Sequence, residues 1–72
     1  MNIILFLGGI IMKTYALTVF DKAGEKLLDE HFDAANDEEA KEKGTARLTE
    51  KDYLEHTHRC VTSTGSLVLF HR

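Results

Sequence analysis

The sequence predicts an α+β domain of ββαββ organisation, with one helix packed on one face of a four-stranded sheet. Three observations carry this expectation. Strand-like runs with alternating side chains occur at Thr14–Phe20, Lys26–Ala34, Thr57–Ser63 and Ser66–Arg72. A capped, polar segment between the second and third runs, Asn36–Lys51, has helical spacing instead. Turn residues join the strands of each pair: Asp21-Lys22-Ala23-Gly24 in the first, Thr64-Gly65 in the second.

The first strand alternates Tyr15, Leu17 and Val19 on one face with Thr14, Ala16, Thr18 and Phe20 on the other. Asp21 opens a tight turn, and Gly24 supplies the positive φ that closes it. In the second strand Leu28, Phe32 and Ala34 share a face, while Leu27, Asp29, His31 and Asp33 share the other. Its charge suits an exposed edge. Asn36 is a good helix N-cap, with Glu39 three residues on to complete a capping box and Asp37, Glu38 and Glu39 at the positive end of the helix dipole. Ala40, Gly44 and Leu48, spaced by four, form the expected buried stripe. Gly44 costs roughly 1 kcal/mol against alanine within a helix, but Leu48 keeps the period, so the helix is expected to continue. In the last hairpin a two-residue loop would set Ser63 opposite Ser66, Cys60 opposite Leu69 and His58 opposite His71. A three-residue loop would slip that register by one.

Polarity orders the strands. The first and fourth are the most apolar and are expected at the centre; the second and third are charged and are expected at the edges. The resulting order, 2-1-4-3, has a parallel central pair and a right-handed helical crossover, a β-grasp-like arrangement. Such a likeness carries no function.

Seventy-two residues make one domain with a small core, and chains of this size often gain stability by association. Cys60 is the single cysteine, which excludes an internal disulfide and fits a reducing, cytoplasmic compartment. The net charge of −3 is unevenly placed. Residues 21–42 carry nine acids and three lysines, whereas no acid occurs from His56 to Arg72, where two arginines and three histidines lie. That basic hairpin is weaker than the footprint nucleic-acid binding usually needs.

The uncharged run Ile3–Met12 is too short to span a bilayer and lacks the basic flank of a signal peptide. Patterned sequence starts at Met12. Gly8-Gly9 would be encoded by a G-rich tract a short distance before the Met12 codon, as a ribosome-binding site would be. Residues 1–11 are therefore read as an apolar leader outside the fold, with Met12 as the native start and residues 12–72 as the single domain.

Chemistry is sparse. His56, His58 and Cys60 share one strand face, and His71 lies opposite His58 in the preferred register. His58, Cys60 and His71 are the weak candidates for a metal site, since zinc takes imidazole and thiolate. His56 and Cys60 are two pleats apart, about 14 Å by strand geometry, too far to share an ion. No third group or oxyanion-hole motif supports a Cys–His nucleophile, and the scattered glycines make no phosphate loop. No catalytic residue and no cofactor is expected, so the chain is read as non-enzymatic.

The fourth strand is apolar on both faces, yet one helix covers only one. Helix coverage is expected over Tyr15, Leu17, Val19, Cys60, Leu67 and Leu69. Phe20, Val61, Val68 and Phe70 would then lie outside, ringed by Arg59 and Arg72. An apolar patch of this kind marks an interaction site. The expected function is an interaction module acting as a homodimer or on a protein partner. The alternatives are anion or nucleic-acid binding through the basic hairpin, and a His/Cys metal protein.

Tyr15-Ala16-Leu17-Thr18-Val19-Phe20, Asn36-Asp37-Glu38-Glu39-Ala40-Lys41, Thr57-His58-Arg59-Cys60 and Leu67-Val68-Leu69-Phe70-His71-Arg72 together resemble the YhzD-like family, small uncharacterised proteins of Bacillus and related Firmicutes. The resemblance spans Met12 to Arg72 and leaves residues 1–11 outside. It implies a cytoplasmic bacterial protein and supplies no catalytic residues.

Overall fold

The computed structural model describes residues 11–72. Except for Ile11, the stretch read as leader lies outside the described residues. Strand β1 is Lys13–Phe20, β2 Lys26–Ala34, helix α1 Asp37–Lys51, β3 Thr57–Thr62 and β4 Leu67–His71. The ββαββ order and the α+β class are those expected.

The strand order is not. The four strands form one sheet in the order β2-β1-β3-β4, and every neighbouring pair is antiparallel. The β-grasp-like order 2-1-4-3 and its parallel central pair are therefore replaced by a central β1–β3 pair. Apolar content is a poor guide to centrality in a sheet covered on one side, because a central strand then needs only one buried set. β3 supplies that set with His58 and Cys60, 7% and 0% exposed. The second apolar set of β4 finds no cover among the described residues: Leu67 and Phe70 are 56% and 57% exposed at the edge. Since β2 and β3 both run antiparallel to β1, they are parallel to each other, and α1 carries the chain from one to the other across β1.

The two hairpins are built alike. In the first, the Asp21 amide donates to the Glu25 carbonyl (2.9 Å) and the Gly24 amide to the Asp21 carbonyl (3.0 Å). In the second, the Thr62 amide donates to the Ser66 carbonyl (2.8 Å) and the Gly65 amide to the Thr62 carbonyl (2.9 Å). Each is a three-residue loop ending in a left-handed glycine, with φ of 85° at Gly24 and 91° at Gly65. The side chain that opens each loop braces it. Asp21 Oδ1 accepts from the amides of Ala23 and Glu25, and Thr62 Oγ1 from those of Thr64 and Ser66. The two-residue loop expected in the second hairpin is thus a residue too short. Cys60 still faces Leu69 and His58 still faces His71, because a bulge between Cys60 and Val61 absorbs the extra residue. The same shift occurs between Val19 and Phe20 against β2.

The helix begins where its sequence places it. The Glu39 amide donates to Asn36 Oδ1 at 2.8 Å, and the Glu39 carboxylate accepts from the Ala35 amide at 2.6 Å. The reciprocal bond thus reaches one residue before the cap rather than the cap itself. Ala40, Gly44 and Leu48 form the buried stripe. Gly44 is there for contact: a β-carbon at this position would lie 3.0 Å from Leu69 Cδ1. At the far end Asp52 turns left-handed (φ 63°), with its amide donating to Thr49 O and the Tyr53 amide to Leu48 O, which closes the helix as a Schellman motif.

Tyr15, Leu17, Val19, Ala34, Ala40, Leu48 and Cys60 are fully buried between the helix and the sheet. Leu28, Phe32, Tyr53 and Leu69 pack at the margins. Tyr15 ties the layers together. Its ring stacks on Phe32 with centroids 5.8 Å apart, and its hydroxyl donates to Asp37 Oδ1 at 2.8 Å in the first helical turn. Arg47 does the same at the side, with Nε to Glu30 Oε1 at 2.8 Å and Nη2 to Glu30 Oε2 at 2.5 Å. This bidentate pair holds Glu30 below the usual carboxylate range. Both side chains are about a third exposed, so the pair orients α1 more than it stabilises it.

Candidate interaction surface

The face away from α1 is read from the register. One cross-strand row runs Asp29, Thr18, Arg59, Phe70 over the full width of the sheet. The next runs His31, Ala16, Val61, Leu67. Phe70, Leu67 and Val61 therefore meet at the β4 corner, bordered by Arg59. Phe20 stands apart on β1, opposite Thr57.

The residues expected to form one patch are thus partly separated. Val61, Phe70 and Arg59 come together. Phe20 and Arg72 instead line a concavity of about 380 Å³ at the end of the sheet, with Lys22, Glu55, His56 and Thr57. Val68 sits at the bulge, half-buried and packed against the core. Leu67, expected beneath the helix, is exposed. The bulge accounts for both changes, because one extra residue in β4 breaks the alternation on which the face assignment relied. The signal for it was the Thr62…Gly65-Ser66 spacing, which matches Asp21…Gly24-Glu25 in the first hairpin.

The candidate metal ligands have other employment. His58 Nδ1 lies 2.9 Å from the His56 carbonyl, so in the neutral ring that nitrogen carries the proton and donates. The His58 ring stacks on His71 at 5.4 Å. Cys60 is sealed between Leu17 and Leu69, and burial, with the Asp37 charge second, pushes its thiol up, away from the thiolate that metals and electrophiles need. Among the described residues, no group of three or more His, Cys, Asp or Glu side chains is placed to hold a metal ion. Among the same residues, no helix is long and apolar enough to cross a membrane.

The family model described as YhzD-like protein matches residues 12–72. The chain belongs to the YhzD-like family. It is 51% identical to the Bacillus subtilis (strain 168) protein named "Uncharacterized protein YhzD" over 61 residues, which cover 85% of this chain and all of that relative. No solved structure matches the chain.

Proposed function

We propose that this member of the YhzD-like family is a non-enzymatic, cytoplasmic interaction module that docks a protein through the β4 corner of its open sheet face. One observation carries the reading: Leu67 and Phe70, two large apolar side chains, stand more than half exposed side by side with half-buried Val61. Exposed apolar side chains grouped in this way on a small domain are an interaction surface. Arg59 adds a stackable cation at its border. The single thiol of Cys60, kept reduced and buried, supports the cytoplasmic setting. Phe70→Glu tests the reading. The variant should keep its circular dichroism and cooperative melting but lose association, with itself or with a captured partner. Unchanged association would remove the β4 corner from consideration, and unfolding would show that Phe70 belongs to the core.

A further inference from the structure

We infer that the protein is a symmetric homodimer joined through its β4 edges, so that two four-stranded sheets run together as one of eight strands. This rests on the β4 corner as the docking surface and names its occupant as a second copy of the chain.

The two edges of the sheet are not equivalent. Along β2 stand Lys26, Asp29, Glu30 and Asp33, with Asp29 paired to Lys26 and Glu30 held by Arg47. Charged side chains of this kind guard an edge against pairing. β4 reads Leu67-Val68-Leu69-Phe70-His71, with no acid, lysine or proline. Among the described residues its one strand neighbour is β3, so its outer row of amide and carbonyl groups faces away from the sheet. The chemistry that completes such a row is another extended backbone.

The strand is complementary to itself. A twofold axis normal to the sheet must pass through a facing pair, so one residue meets its own copy. Placed at Phe70, the axis uses the regular segment beyond the bulge. It sets Phe70 against Phe70 of the second copy and Leu69 against His71. The most exposed aromatic among the described residues is then covered by an aromatic, a favoured cross-strand pairing. Like charges stay apart: the two Arg59 side chains sit three strand spacings apart, about 14 Å, beyond the screening length of physiological salt. Pairing β4 with β2 of another copy would not close on itself and would grow into arrays.

Native mass spectrometry and sedimentation of the full chain should show twice the 8.2 kDa monomer, and Phe70→Glu should show the monomer alone. Phe70→Cys tests the axis. Paired residues there would have α-carbons about 5.5 Å apart, within disulfide range, so mild oxidation should give a covalent dimer. Leu67→Cys, off the axis, should not cross-link, and buried Cys60 stays out of the reaction. A monomeric wild type overturns the homodimer; if that monomer still binds another protein through Phe70, the interaction reading survives alone. A dimer that persists in Phe70→Glu overturns both. Cross-linking by Leu67→Cys but not Phe70→Cys, or open-ended growth with concentration, overturns the edge pairing described.

Discussion

Among the described residues, two buried side chains on the covered face of the sheet carry an oxygen or nitrogen, Tyr15 and His58, and the fold treats them differently. Tyr15 is fully buried but sends its hydroxyl to Asp37, so its polar atom is satisfied by a charge at the surface. His58 is buried beside His71 and uses its proton on the His56 carbonyl. Burial pushes the His58 ring below its ordinary value; the bond to His56 opposes this, and the neighbouring His71 adds to it. The fold thus prefers the neutral ring, while the unfolded chain titrates near 6.5. Between the depressed folded value and that ordinary one, the unfolded chain binds more protons. The contribution of His58 to stability is therefore complete above about pH 6.5 and lost as the pH falls through the folded value. Denaturant melts at pH 7 and pH 5 should show the loss, and His58→Phe, which cannot titrate, should flatten it. An equal loss in His58→Phe would assign the effect to other groups. Tyr15, Leu17, Val19 and Cys60 were legible as core because a period of two with apolar residues leaves little choice. His58 was not, since a histidine beside an arginine reads as surface until its partner across the strand is known.

At the scale of elements, both ends of the helix lie where the sequence placed them, Asn36 at the cap and Lys51 at the last turn, but on different grounds. Asn36 and Glu39 announce the N-terminus with side-chain chemistry that the backbone then uses. The C-terminus carries no glycine. Asp52 takes the left-handed position instead, a conformation that costs an L-residue about 1–2 kcal/mol, less for Asp, and it sets a negative charge at the negative end of the helix dipole. Asp52→Gly should remove both penalties and stabilise the domain by about 0.5–1 kcal/mol, raising the melting temperature by roughly 2–8 °C for a domain of this size. A lower melting temperature would mean that Asp52 makes a compensating contact. Gly44, the other unusual helical choice, is explained by packing, because Leu69 occupies the space where a methyl group would go. That contact needs β4 beside the helix, information that helical periodicity does not contain.

Seen whole, the molecule is two copies of one hairpin related by a pseudo-twofold axis through the paired Thr18 and Arg59, and this is why β3 rather than β4 lies at the centre. Loop-opening Asp21 and Thr62, loop-closing Gly24 and Gly65, and the shifts at Val19/Phe20 and Cys60/Val61 each recur at an interval of 41 residues. The first strand of each hairpin must then meet the first strand of the other. The repeat was present in the sequence, but polarity concealed it, since Val19 and Leu17 of β1 correspond to Cys60 and His58 of β3. Among the described residues, every fully buried one lies between Tyr15 and Cys60, the first ladder pair is Lys13 with Ala34, and Ile11 and Met12 are 81% and 49% exposed. A chain beginning at Met12 should therefore unfold cooperatively at the melting temperature of the full chain and give the same amide spectrum for residues 14–72. A drop of more than about 4 °C, roughly 1 kcal/mol for a domain this small, or a loss of cooperativity, would show instead that residues 1–11 contribute to the core.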